Sequence, residues 1–431
     1  MNTFSLTVFA LLSLGLLLRY PEIALALFLL SGTFKSQFHL IFPEAPDITI
    51  ICALILIAGV IIRLPIFLRS LRSPLSLPKQ PPTFKFFLTF AGLVAMMCLS
   101  FFATNDNRYG LEKTVRFATL TGLALFTPLI TVQSEKSLTR FLLTLIGVAL
   151  LMVAFGQQTF EGLTAFGANH IATGRTIGVG LLSCLYLTLR PRMSNFKNIL
   201  LGAGLGISNL LLGYGIFSSG ARGVLIALLS ALTIVGLIAL SFRRGRTIVL
   251  TGAAIVTVIV IALTVFASGA VLTMNRRIEK IISEPIDRTA HTRVIRAEAA
   301  ITMFRNHPLN GAGIGGFNQE FNLYESERGD YPHNLFLEVA AELGLVGLIL
   351  VTLLLFIPIR HLLAHLTVGD RPATLLILTL VLYFLINAFF SGDLNDNRFL
   401  FTTLGLCLTA PIPLKERTVY EENQWQPASA S

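Results

Sequence analysis

Charge is scarce in this chain. Asp, Glu, Lys and Arg make up 13% of its 431 residues, against 54% hydrophobic residues. A soluble globule needs more polar surface than that, so an ordinary soluble fold is excluded. Cysteine is also scarce. The four cysteines, Cys52, Cys98, Cys184 and Cys407, lie inside apolar runs and none belongs to a CxxC pair. A disulfide framework and a zinc site are therefore not expected, and buried core thiols are. The sequence holds no Ser-His-Asp arrangement, P-loop, HExxH or DxD motif. A cleavable signal peptide is not expected either: the apolar Phe4–Leu18 segment lacks a basic leader, and Arg19-Tyr20-Pro21-Glu22 offers no small-residue cleavage site.

What is present are apolar runs of the length that crosses roughly 30 Å of hydrocarbon. They fall near residues 4–33 (one or two passes), 48–68, 85–103, 117–132, 138–155, 170–189, 198–217, 223–241, 247–267, 334–359, 372–390 and 399–413. The runs are continuous rather than alternating, so they are helices and not barrel strands. The expectation is an all-α integral membrane protein of about twelve transmembrane helices, forming one polytopic domain over residues 1–431.

The net charge of +10 does not point to nucleic acid, because the basic residues sit in short loops between spans. Alternate loops carry them: Arg69, Arg72 and Lys79; Lys136 and Arg140; Arg190, Arg192 and Lys197; Arg243, Arg244 and Arg246; Arg360 and Arg371; Lys415 and Arg417. By the positive-inside rule these loops are cytoplasmic, as is the polar tail 415–431. The opposite set, 34–47, 104–116, 156–169, 218–222, 268–333 and 391–398, then faces outward. Loop 156–169 has no Lys or Arg. Loop 268–333 breaks the trend with Arg276, Arg277, Lys280, Arg288, Arg293, Arg296, Arg305 and Arg328. Long loops escape the charge rule, yet such an excess of cations calls for an anionic partner.

Candidate site residues cluster on this outward side. Over Thr292–Asn306 a helix would carry Val294, Ala297, Ala300, Ile301 and Phe304 as an apolar stripe, with Arg293 inside it and Arg296 on its edge. An arginine facing a packed surface needs an anion or a dense set of acceptors; otherwise it is a surface arginine whose stem covers apolar residues. In Ser218-Ser219-Gly220-Ala221-Arg222-Gly223, Arg222 enters a tight turn at the membrane edge, where a cation is functional by default or else a headgroup anchor. His333-Asn334 opens an apolar helix. The positive end of its dipole favours a neutral imidazole, as a general base requires, although either residue could instead serve as the cap. Gly311-Ala-Gly-Ile-Gly-Gly316 matches G-x-G-x-x-G in letters only. With no preceding strand it reads as a glycine turn that lets backbone approach a ligand or a helix. His170 and Arg175 are expected to line the cavity, Asp393, Asp396 and Arg398 form an outward turn, and His361 and His365 read as interface residues.

Arginines and a histidine on the outward face of a helical bundle suit a lipid-linked diphosphate. Guanidinium forks grip its oxygens, and the histidine takes the proton of an acceptor hydroxyl. The run from Arg293 through MFRNHPLNGAGIGGF to HNLFLEVAAELGLVG, preceded by SSGARG, resembles the O-antigen ligase and polymerase superfamily. The resemblance covers roughly residues 205–350 in motif detail and the whole chain in topology. Ala297 departs from it, standing where the family usually has an aromatic residue. The resemblance implies a GT-C-like, metal-independent, inverting glycosyltransferase without cofactor. It would move an O-antigen glycan from undecaprenyl diphosphate to lipid A–core on the periplasmic face of the bacterial inner membrane. Carried over, Arg222 and Arg293 would bind the diphosphate and His333 would activate the acceptor. Arg296, Arg175, His170, Asn334 and Asp393 complete the expected substrate-binding set.

A repeat-unit polymerase and a protein O-oligosaccharyltransferase would use the same donor. A lipid or anion transporter would also want an arginine-lined cavity, but it should show charged or broken helices across the membrane midplane and matching halves. The sequence shows neither.

Overall fold

The computed structural model describes residues 12–71, 83–101, 108–190, 196–242, 246–247, 249–254, 256–257, 288–321, 331–366 and 371–409. The protein is an all-α integral membrane protein. Among the described residues, ten helices are long and apolar enough to cross a membrane. Two differences account for the distance from about twelve. The expected span 247–267 lies mostly outside the described residues, and Arg398–Thr409 is an apolar helix of only 12 residues.

In chain order, residues 12–19 form helix α1, and the single non-helical Tyr20 separates it from α2 (Pro21–Ile41), with Pro21 at the first helical position where its missing N–H costs nothing. Helix α2 runs eight residues past the expected end of its span. It keeps Lys35 on its last turns, where Lys35 pairs with Asp47 at 2.6 Å. There follow α3 (Ile48–Leu71) and α4 (Thr83–Phe101). The next span starts nine residues earlier than its apolar run: α5 (Arg108–Arg116), a π-helical turn Phe117–Thr121, α6 (Gly122–Phe126) and α7 (Pro128–Thr131) are continuous. After them come α8 (Glu135–Ala154), the hairpin β1 (Gln157–Thr159) and β2 (Gly162–Thr164), α9 (His170–Leu189), α10 (Phe196–Ser219) and α11 (Arg222–Leu240). Further along the chain lie α12 (Arg288–Asn306), α13 (Gly316–Phe321), α14 (Leu335–Ala364), α15 (Arg371–Phe390) and α16 (Arg398–Thr409).

Hydropathy hid the start of α5 because four of its nine residues are charged. Arg108 and Arg116 each pair with Glu112 at 3.7 Å on the surface. Lys113 turns inward. Its ammonium meets Glu338 and, at 2.5 Å, Glu342, all three side chains at 1–2% exposure. One turn apart on α14, the two carboxylates project from the same face. The opposite end of the bundle has its own ionic knot, where buried Glu22 accepts from Arg140 Nε at 2.5 Å and lies 3.7 Å from Arg63.

Helix α14 is broken. Gly344 has φ 62° and ψ −157°, outside helical space. The segment 307–315 fills the break with backbone. Ala312 and Gly313 N–H donate to the Ala341 and Glu342 carbonyls, and Leu345 and Val346 N–H donate to Pro308 and Leu309. Gly311 and Gly344 permit this: a Cβ on either would lie 2.3–2.4 Å from the other segment's backbone. The glycine turn therefore serves a neighbouring helix. A broken helix and buried charges are thus both present, contrary to the expectation from sequence of neither charged nor broken helices.

The cysteine expectation holds for Cys184 and Cys407, which are buried, whereas Cys52 is half-buried and Cys98 is exposed. His361 and His365 sit together at the far end of α14, ring centroids 4.6 Å apart. Residues Arg276, Arg277, Lys280 and Arg328 and the tail 415–431 lie outside the described residues.

Candidate active site at one end of the bundle

One end of the bundle gathers the start of α9, the α10–α11 turn, the start of α14 and the α15–α16 turn. Arg222 is the first residue of α11, and only Gly220 and Ala221 separate it from α10. Gly220 takes φ 60°, which makes so short a reversal possible. The turn is held from both sides. Ala221 N–H donates to Ser219 Oγ at 3.3 Å. From the hairpin, Gly162 presses so closely on the Ser219 carbonyl that a Cβ would overlap it, and Gln158 Nε2 donates to the Ser218 carbonyl at 3.4 Å. The β1–β2 hairpin thereby buttresses the backbone that carries Arg222.

Contacts link this turn to the other elements. A Cβ on Gly174 would lie 3.0 Å from Ala221 Cβ, which brings the α9 turn bearing Arg175 against the residue before Arg222. A Cβ on Gly223 would lie 3.2 Å from Phe390 Cβ, so α11 starts against the end of α15. The neighbouring Phe389 carbonyl accepts from Asn334 Nδ2 at 3.3 Å, and its ring stacks on Phe336 at 4.7 Å. Gly392, just beyond α15, abuts the Arg175 guanidinium.

His333 has φ 56°, one of two non-glycine residues in the left-handed region among those described. It is not the helix cap. Asn334 caps α14, its Oδ1 accepting from Phe336 and Leu337 N–H at 2.9 and 3.1 Å. With Nδ2 on Phe389, the Asn334 amide is occupied by structural bonds. The His333 ring lies 4.3 Å from that of Tyr331. Burial raises the Tyr331 phenol well above its ordinary range, and the Asp396 and Asp393 carboxylates add to this. Tyr331 therefore stays a neutral hydroxyl beside the imidazole.

Helix α12 lies along the first half of α14. Its Ala300 and Met303 are buried with Ala341 and Phe317, and Leu337 packs at the edge of this cluster. At about 100° per residue, Arg293 and Arg296 both fall on the Ala300–Met303 face. Val294 and Ile301, expected in the stripe, are 54% and 40% exposed. The stripe is thus rotated from its expected position: Arg293 remains within it, and Arg296 moves from its edge to its middle, with Cζ 5.9 Å from the Phe321 ring centroid. Pro308 and Leu309, just past the end of α12, bond to Leu345 and Val346, and Ala300 and Met303 cluster with Ala341, so α12 runs back from the Gly344 break along the first half of α14 and its arginine-bearing end lies towards the start of α14.

The remaining expected residues are placed as follows. His170, first in α9, has Nδ1 3.2 Å from Glu161 Oε2. Asp393 Oδ1 accepts from Asp396 N–H at 2.6 Å inside its own turn. That turn is tied to the ionic knot: Leu394 N–H donates to Glu338 Oε2 at 2.9 Å and Asn395 Nδ2 to the Lys113 carbonyl at 3.2 Å. Lys113, Glu338 and Glu342 were not among the expected residues. The i,i+4 glutamates inside an apolar helix are the signal that could have found them. Chemically, this end offers cations from α9, α11 and α12 and the imidazole of His333, one residue before the α14 cap.

Residues 207–352 match the family described as O-antigen ligase (Wzy_C). No curated protein matches the chain in sequence.

Proposed function

From the premise that residues 207–352 belong to the O-antigen ligase family, we infer that the chain is a glycosyltransferase joining a lipid-linked O-antigen glycan to lipid A–core. The donor is an undecaprenyl diphosphate glycan, and the site lies at the bundle end that holds Arg222, which in a bacterial inner membrane faces the periplasm. The observation that carries this reading is His333. Its backbone is held at φ 56° while Asn334 takes over the cap. A histidine kept in a costly conformation, without a capping role, beside the arginine-bearing helix ends suits a general base.

The acceptor hydroxyl oxygen attacks the anomeric carbon from the face opposite the diphosphate, and its proton passes to His333. The bond from anomeric carbon to phosphate oxygen breaks, and its electron pair leaves with the diphosphate. Arg222 and Arg293 neutralise the charge that develops there. Inversion follows from the opposite-face attack.

The broken α14 and its buried charges revive the transporter reading only in outline. The backbone groups freed at Gly344 are bonded to residues 308–313, not turned towards a ligand path. A gel of lipopolysaccharide from a deletion strain distinguishes the family's activities. Loss of a ligase leaves bare core, which is the expected result; core bearing one repeat would instead identify a polymerase.

A further inference from the structure

Arg175 is an unusual arginine. Its Nε and Nη2 are buried and have no hydrogen-bond partner among the described residues. These two nitrogens form one edge of the guanidinium, the edge whose parallel N–H groups fit two oxygens of a phosphate or carboxylate. An unpaired buried donor is costly, and two on one cation more so, so a fold keeps such a group where something else supplies the acceptors.

The surroundings are built for that edge. The Arg175 carbonyl accepts from the hydroxyl of Tyr383, a fully buried residue that packs against Gly178 one turn further along, so this part of α9 is fixed. At the guanidinium tip stands Gly392 with φ 90°, where a Cβ would come within 3.3 Å of Nη1 and 3.5 Å of Nη2. Asp396 is close enough to act on Arg175 electrostatically but forms no ion pair with it. Asp393 is turned into its own loop by Asp396 N–H. Close packing of Gly174 against the Ala221 and Ser219 side chains puts Arg175 beside the Arg222 turn.

We propose that Arg175 is a buried oxyanion subsite that takes one phosphate group of a lipid-linked diphosphate by its Nε–Nη2 edge. This rests on the donor chemistry of the proposed function and adds a residue that would touch the leaving group. Asp396 is then the neighbour that keeps the empty subsite from holding anions too tightly.

The test uses the full-length protein in detergent, unfolded thermally at constant ionic strength with farnesyl diphosphate, inorganic pyrophosphate or sodium chloride. Farnesyl diphosphate should raise the unfolding temperature in the wild type. A matching rise with pyrophosphate means the oxyanion alone is recognised; no rise with pyrophosphate means the lipid is also needed; both fit a diphosphate subsite. Arg175→Gln should weaken this binding at least tenfold and leave the ligand-free unfolding temperature unchanged or higher, because an unsatisfied cation has been removed. Arg175→Lys should also bind weakly, having charge but no fork, and Asp396→Asn should bind more tightly. A ligand-free Arg175→Gln that unfolds much earlier would make the guanidinium a structural cation and overturn the proposal. Unchanged diphosphate affinity in Arg175→Gln would overturn it as well. Loss of affinity in that variant, with a wild type that adds no glycan to core, would leave the subsite standing and remove the transfer reaction instead.

Discussion

At the residue scale the account turns on His333. A left-handed backbone costs a non-glycine residue about 1–2 kcal/mol, and nothing in the cap requires histidine there, since Asn334 makes the capping bonds. Glycine at 333 should therefore stabilise the protein by about 1 kcal/mol while abolishing transfer; alanine should abolish transfer without that gain. Unfolding temperature and glycan ladder, measured on both variants, check the pair. A His333→Gly protein that is less stable than wild type would mean the imidazole holds the fold. From the letters His-Asn before an apolar run, a base or a cap was readable, but not which residue did which. That division depends on φ at 333, which the residue types leave open. Arg296 shows the same limit. Its placement on the helix face depended on where the stripe was centred, and the neighbours that centre it, Ala341 and Phe317, are distant or unmarked in sequence.

At the scale of elements, α14 is two helices that share a backbone-filled joint. Alanine at Gly344 would meet both the left-handed penalty and a Cβ contact at 2.4 Å with the Leu309 carbonyl. We expect Gly344→Ala to cost about 3 kcal/mol from strain and lost hydrogen bonds. It should also free the 307–315 segment, read as faster amide exchange at Ala312, Gly313 and Leu345. Unchanged exchange would refute the joint. Lys113 is the second element-level device, fastening α5 and the 394–395 turn to the first half of α14. Lys113→Met strands two buried carboxylates and should destabilise by about 3–5 kcal/mol. Glu342→Gln leaves a one-to-one pair and should cost far less. Denaturation in detergent ranks the two, and equal losses would contradict the charge argument. In the sequence only the i,i+4 glutamates hint at this knot; hydropathy reads Lys113 as loop, and the glutamates that make it core lie 225 and 229 residues away.

At the scale of the molecule, the helical membrane class was legible from the apolar runs, since lipid leaves a continuous apolar segment no other conformation. Span edges were not legible wherever charged residues are paired inside the fold, as at α5, or ride on the last turns, as on α2. The convergence of Arg222 with the His333 region was readable only as shared sidedness. The contacts that achieve it, Gly174 on Ala221 and Gly223 on Phe390, depend on glycines whose partners lie far along the chain. The central claim is that this end of the bundle transfers glycan by arginine forks and a histidine base. Its most direct test is transfer by the purified protein in lipid, from a lipid-diphosphate-linked glycan to core acceptor, with a chelator present and no nucleotide. The account predicts product with the wild type and almost none with Arg222→Ala or Arg222→Lys. Full activity in Arg222→Lys would contradict it.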